Sequence, residues 1–319
     1  LWHLDKVLSE DGERTRADHR HHAIDALTVA CAHPGVTHQL SCYWHAKDKA
    51  GVENPNLPNP WPTIRTDATK AVNKIVVSHR VRKKVSGPLH KETTYGDTGV
   101  DVTTASGLYR QFVTRKRVEA LSRSELGGDP DKGGEGIRDA RVREVLQEWV
   151  RQYGGDPRKA FPSYPRIGEH GPEIRKVRLL RKQQLSLMAP VSTGYSDLGN
   201  NHHIAIYRCA DDKVEFEVVS LYEASRRLAR REPVVRRDRG DGSVFLMSLA
   251  SGEAVEFPEG EKKGVWIVTG VWSGGQVVLE ACTDAVHATT MRPRPSVLIK
   301  EKVRKVSVDP IGRVRPASD

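Results

Sequence analysis

Apolar positions change their period twice along the chain. Near the start, LWHLDKVL and then DHRHHAIDALTVA (18–30) repeat apolar residues at helical spacing, with Ile24, Leu27 and Cys31 on one stripe at 100° per residue. The pattern predicts a helix with Asp18 as its N-cap, running to about Ala32 before Pro34. The prolines of GVENPNLPNPWPT exclude a helix or a central strand and predict a linker packed by Trp61. From Asn73 onward, short runs of branched residues predict strands at KIVVSHRV and VRLLRKQQL. Between them a helix is predicted over 137–153. It carries Val142, Val145, Leu146, Trp149 and Val150 on one stripe, follows the flexible loop GGDPDKGGEG and stops at Gly154-Gly155. Beyond Asn200 the runs HIAIYR, VEFEVVSL, SVFLMSL, GVWIVTGVW and QVVLEA predict strands, the last two joined as a hairpin across Ser273-Gly274-Gly275. A short arginine-rich helix, LYEASRRLARR, sits among them. The fold class expected is α+β and multidomain, helical first and β-rich afterwards.

Composition narrows the partners. A chain of 319 residues has room for two or three cores. Lys and Arg number 51 against 41 Asp and Glu, a formal net charge of +10. That excess suits a polyanion, most simply nucleic acid, although a solvated basic surface explains charge alone equally well. No apolar run approaches the roughly 20 residues of a membrane span, so no membrane partner is expected. Four cysteines, widely separated and without a CxxC pair, fit a reducing, cytoplasmic setting. The first residue is Leu1, which suggests a piece of a longer protein.

The candidate chemistry lies in the first helix. His22 and Asp25, at i and i+3, share the side opposite the apolar stripe, with Ala26 and Val29 beside them. The sequence therefore suggests a semi-buried face carrying an imidazole and a carboxylate. A buried carboxylate needs a partner charge, which a metal ion supplies, and a neutral imidazole beside it can take a proton from an attacking water. A structural Asp–His hydrogen bond is the other reading. Cys31, His33, His38, Cys42 and His45 fall close enough to suggest zinc, in spacings that match no common finger. His202 and His203, in a strand, are expected on opposite faces and in structural roles. Ser78, Arg80, Arg82, Lys83, Lys84, Ser86, His90 and Thr93 crowd hydroxyls and cations into one segment, as phosphate contacts require and as a basic edge strand also would.

DHRHHAIDALTVA resembles the third RuvC-like motif of the type II CRISPR RNA-guided DNA endonucleases, the Cas-nine family, whose pattern is His-His-Ala-x-Asp-Ala on a helix. KIVVSHRVRKKVSGPLHKETTYG (74–96) is similar to the segment opening that family's wedge domain, and GGDPRKAF with IRKVRLL to its continuation. GNNHHIAIYR with VVSLYEASRR resembles the start of the PAM-interacting domain in the compact type II-C branch. The resemblance implies a helical C-terminal segment of a RuvC/RNase H-like domain with its linker over 1–70, a wedge domain over 71–199 and a PAM-interacting domain over 200–319. It implies an endonuclease of antiviral defence that cuts the displaced strand with Mg2+, or Mn2+ in its place. Asp25 and His22 would be metal ligands, His22 also the general base or orienter of the attacking water, and His21 structural. It also implies guide RNA (crRNA with tracrRNA) and PAM-containing duplex DNA as partners. In chain order, GVWIVTGVWSGGQVVLEA corresponds to the PAM-reading hairpin, with Gln276, Ser273 and Trp272 at its tip and Arg292 and Arg294 as further readers. The first and second RuvC motifs, an HNH motif and an arginine-rich bridge helix are not in this sequence. A third partner, the missing N-terminal part of the same enzyme, is therefore expected, and the chain is expected to be inactive alone. The rival reading is a non-catalytic basic nucleic-acid-binding module.

Overall fold

The computed structural model describes residues 2–8, 16–50, 57–105, 107–130, 134–157 and 159–319, with the side chains of Asp5 and 46–50 excepted. The first six residues of GVENPNLPNPWPT and three of the GGDPDKGGEG loop lie outside them. The chain divides into two compact units. One holds residues 1–85, 201–219 and 231–319, the other residues 86–200 and 220–230.

The first unit opens with helices α1 (His21–Cys31), α2 (Pro34–Ala50) and α3 (Ile64–Val72). Ile24 of α1, Val36 of α2 and Ile64, Ala68 and Val72 of α3 close on Trp2 and Leu4 as one apolar cluster. Trp61 packs against it and donates its indole N–H to Asp67 (2.9 Å). α3 escaped the sequence reading, although Ile64, Ala68 and Val72 recur at the four-residue spacing of a buried stripe.

The second unit is built on a six-stranded antiparallel sheet ordered β3-β4-β2-β1-β6-β5. Its strands are β1 (His90–Thr104), β2 (Gly107–Arg117), β3 (Gly136–Ile137), β4 (Lys176–Gln183), β5 (Met188–Val191) and β6 (Gly194–Leu198). Helix α4 (Arg123–Gly127) begins at a capping box between Ser122 and Glu125. Helix α5 (Ala140–Gln152) lays Leu146 and Val150 against Val177, Leu179 and Ile137. The helix predicted over 137–153 thus starts later. Ile137 belongs to β3, and Asp139 caps α5 by accepting the Val142 N–H (3.0 Å). Gly154 and Gly155, both at positive φ, end it as expected.

The remaining strands return to the first unit. They are β7 (Asn201–Arg208), β8 (Val214–Ser220), β9 (Val244–Ala250), β10 (Ala254–Phe257), β11 (Gly264–Val271), β12 (Val277–Ala281), β13 (Thr290–Met291), β14 (Arg304–Val308) and β15 (Val314–Pro316). Helix α6 (Leu221–Ala229) groups with the second unit, and α7 (Pro295–Lys300) with the first. The strands form a three-stranded sheet, β8-β7-β9, and a six-stranded sheet, β13-β12-β11-β10-β14-β15. Ile204, Ile206, Leu249, Val255, Phe257, Val268, Leu279 and Leu298 join the two sheets and α7 in the largest apolar cluster.

KIVVSHRV forms no ladder, contrary to the sequence expectation. Residues 74–84 run extended along the first unit, held by isolated contacts. The Ser78 hydroxyl donates to Val308 O (2.8 Å), His79 Nε2 meets Cys282 O (2.8 Å) and the Arg82 N–H donates to Ser251 O (2.9 Å). A Cβ at Gly252, whose φ is +85°, would stand 2.4 Å from Arg80 O, so that position must be glycine for the segment to lie there.

Candidate metal centre and nucleic-acid interface

Asp18 does not cap α1. Arg20 occupies the N-cap position, and the Asp18 carboxylate accepts the Arg20 backbone N–H (2.8 Å) and its guanidinium (2.6–3.0 Å). Asp18 bridges Asp284 as a single antiparallel pair, flanked by His19 N–H to Thr283 O and Ala285 N–H to Ala17 O (2.8 Å each). The strand leading into α1 is therefore pinned to the turn that follows β12.

His21, His22 and Asp25 bring one ligand atom each within 4.8 Å of one another. The spacing explains it, because His22 lies three residues and His21 four residues before Asp25, both on the same side of a helix. Sequence reasoning paired His22 with Asp25 and left His21 structural, whereas the structure gathers all three; the i, i+4 spacing was the available signal. His21 Nδ1 lies 2.6 Å from Asp18 O. A carbonyl only accepts, so Nδ1 carries the proton and Nε2 keeps the lone pair of the neutral ring. The same contact fixes the ring as a carbonyl behind a metal-binding histidine does. The face is open rather than semi-buried: His22, Asp25 and Ala26 are exposed and Val29 is 74% exposed. Behind it, His19 meets His79 edge to face at 5.5 Å between ring centroids. Burial first, then the His79 and His22 imidazoles, hold His19 below its ordinary pKa.

Cys31, His33, His38, Cys42 and His45 do not converge. Among the described residues, the three-member ligand cluster is the one on α1, and Cys42 meets only His38, one turn away at 3.6 Å between Sγ and Nε2. The four cysteines are free thiols.

The basic segment is exposed at every candidate position: Ser78, Arg80, Arg82, Lys83 and Lys84 in the first unit, and Ser86, His90 and Thr93 in the second. Lys83 is partly committed, with Nζ 2.6 Å from the buried Glu253 carboxylate.

At the β11–β12 hairpin, the Trp272 N–H donates to Gln276 O and the Gly275 N–H to Trp272 O (2.9 Å each). Gly275 has φ +82°, and a Cβ there would stand 2.2 Å from the Phe216 ring. Trp272 and Ser273 are exposed at the tip, and Gln276 is half-buried. The Arg292 guanidinium stacks over the Trp272 ring, 4.5 Å from its centroid, so two candidates 20 positions apart become one surface feature. Arg294 is exposed at the N-cap of α7.

His202 and His203 were expected to point apart. Their side chains instead bring the two Nδ1 atoms to 2.8 Å, with His202 Nε2 3.1 Å from Lys83 O. The alternation holds for burial, since His203 is buried and His202 half-buried, but rotation about χ1 and χ2 turns the rings toward each other.

Residues 4–86 match the RuvC endonuclease subdomain 3 family. The fold is similar to the Type II-C Cas9 enzyme from Actinomyces naeslundii, with a TM-score of 0.56 and 16% identity over 99% of this chain and 43% of that one. It is also similar to Streptococcus thermophilus Cas9, solved in complex with an AGGA PAM, with a TM-score of 0.53 and 13% identity over 96% of this chain and 34% of that one. The chain thus spans less than half the length of either. No curated protein matches it. Residues 4–86 thus match a RuvC subdomain, and β-rich domains follow them. More particularly, the architecture is similar to that of the C-terminal portion of a Cas9 enzyme.

Proposed function

We propose that the chain supplies the last RuvC segment, backbone contacts and PAM reading to an RNA-guided DNA endonuclease of CRISPR defence. The observation that carries this reading is the His21–His22–Asp25 cluster, with His22 and Asp25 exposed, lying inside the segment that matches RuvC subdomain 3. Under it, residues 1–70 complete a RuvC-like domain, 71–199 act as wedge and 200–319 as PAM-interacting domain. Guide RNA and PAM-bearing duplex are the partners; the S. thermophilus enzyme was solved in complex with a PAM.

The donor set, two imidazole nitrogens and a carboxylate open to solvent, fits a divalent cation that takes its other ligands from water or from further polypeptide. Asp25 would hold the ion, Mg2+ or Mn2+, which when bound lowers the pKa of water and neutralises phosphate charge. His22, exposed on the α1 face, is placed to take the proton of the attacking water. His21, oriented through Asp18 O, presents Nε2 to the same cluster. The exposed cations of 78–84 suit phosphate oxygens, and Arg292 on Trp272, with Gln276 and Ser273 beside it, suits base edges in a major groove.

The test is nicking of the displaced strand by enzyme reconstituted from this chain and the remaining polypeptide, with guide RNA. His22→Ala and Asp25→Asn each abolish nicking while target binding stays intact. Nicking at the unsubstituted rate in both variants would leave the chain a non-catalytic binding module.

A further inference from the structure

The three-stranded sheet has two faces of opposite character. Ile204, Ile206, Met247 and Leu249 face the core. Strand alternation puts His203, Ser248 and Ala250 on the other face, where β7 and β9 pair His203 with Ala250 and Ala205 with Ser248. That second face carries the small residues Ala205, Ser248 and Ala250 beside His203 and Tyr207, and residues 231–239 fold across it without filling it. The span is tied down at its far end, where the Tyr207 hydroxyl donates to Arg236 O (2.6 Å) and the Arg239 guanidinium lies over the Tyr207 ring (5.0 Å). Between span and sheet lies a cavity of about 890 Å³, walled by Val234 and Val235 on one side and His203, Ser248 and Ala250 on the other.

The charges around this space decide what fits it. Lys305 Nζ is buried against Glu253 (2.9 Å) and Asp319, and Lys83 Nζ meets the same Glu253 carboxylate (2.6 Å). Ser248 gives its hydroxyl (2.5 Å) and N–H (2.7 Å) to Asp319. Two cations and two carboxylates are therefore mutually matched, and a bare phosphate or carboxylate ligand would meet no uncompensated positive charge inside. Flat branched walls, imidazole rings and hydrogen-bonding groups suit a neutral planar heterocycle instead. Arg236 stands exposed at the rim, only loosely paired with Glu232 (3.9 Å), where a phosphate attached to that heterocycle would lie, whereas Arg237 donates to Asp319 O.

We propose that the cavity between residues 231–239 and the β7–β9 face takes one unstacked nucleobase of a nucleic acid strand, its sugar-phosphate remaining outside beside Arg236. The proposal rests on the nucleic-acid-binding reading above and adds to it a site lined by neither the α1 cluster nor the hairpin tip. The pocket holds the base ring, and the rim arginine steers the backbone.

The experiment uses the 319-residue chain with short oligonucleotides carrying 4-thiouridine (ribose) or 4-thiothymidine (deoxyribose), irradiated and mapped by mass spectrometry. Cross-links are expected within 232–238 or at 202–203, and the arm that labels tells whether the base comes from RNA or DNA. Val234→Trp, in the irregular span and outside the sheet, fills the space. It should cut cross-linking there and lower affinity about fivefold or more, the loss of one base stack, with the salt dependence of binding unchanged because no phosphate contact is removed. Ala250→Leu should do the same from the sheet side. Binding with cross-links only elsewhere, or unchanged affinity in Val234→Trp, overturns the pocket and leaves the nuclease reading standing. Failure of both oligonucleotides to bind at low salt overturns the pocket and the nucleic-acid-binding reading together.

Discussion

At Trp272 an indole ring lies open to solvent beneath the guanidinium of Arg292. A guanidinium stacked this way is held flat, so fewer rotamers are lost when it meets a base edge. If this pair reads the PAM, Arg292→Ala lowers discrimination between cognate and mismatched duplexes by about 1–3 kcal/mol, and Trp272→Ala lowers it in the same direction by loosening the arginine. Competition binding by fluorescence anisotropy checks both, and equal losses on cognate and mismatched duplexes would reassign Arg292 to phosphate contact. The hairpin tip was legible in the sequence, because Ser273-Gly274-Gly275 between branched runs admits little else. The Arg292 partnership was not, since the path from β12 through β13 brings the two residues together, and neither carries a local signal for it. At α1 the reverse holds. The His21, His22 and Asp25 spacings place three candidate ligands on one side of a helix, while the place of His21 among them, the exposure of that side and the Arg20 cap differ from expectation.

The elements differ in what holds them. α5 is set by its own residues: Asp139 at the cap, Gly154 and Gly155 at the stop, and a stripe ending in Leu146 and Val150. Leu146 is fully buried, and Leu146→Ala should cost the second unit about 2–5 kcal/mol, readable as a lower denaturant midpoint. The 74–81 run reads as a strand by composition, yet its partners are single carbonyls and a glycine from distant loops, which no local pattern announces. α4 depends on charge. Burial raises the Glu125 pKa, but hydrogen bonds from Lys116, Ser122 and Arg181 outweigh it and bring the carboxyl from its ordinary 4.5 to about 2. The group binds its proton more readily unfolded than folded, so its contribution is complete above about pH 4.5 and is lost as pH falls toward 2. Glu125→Gln should remove that part of the acid dependence, and thermal melts followed by circular dichroism from pH 5 to pH 2 should show a flatter curve for the variant than for the parent.

Across the molecule, a net charge of +10 is spread over two units that each own a core. In the first unit the strand entering α1 is hydrogen-bonded to the turn after β12, so the candidate ligand face and the candidate base-reading hairpin share one continuous framework. The proposed function requires that the α1 face receive a divalent cation. Titration of the chain with Mn2+, read by paramagnetic broadening of its histidine ring resonances, tests this most directly. His21 and His22 should broaden first, Mg2+ should compete the effect away, and Asp25→Asn should shift the response to higher metal concentration. Broadening that starts at other histidines, or an Asp25→Asn titration superimposable on the parent, would contradict the assignment of α1 as a metal-binding nuclease face.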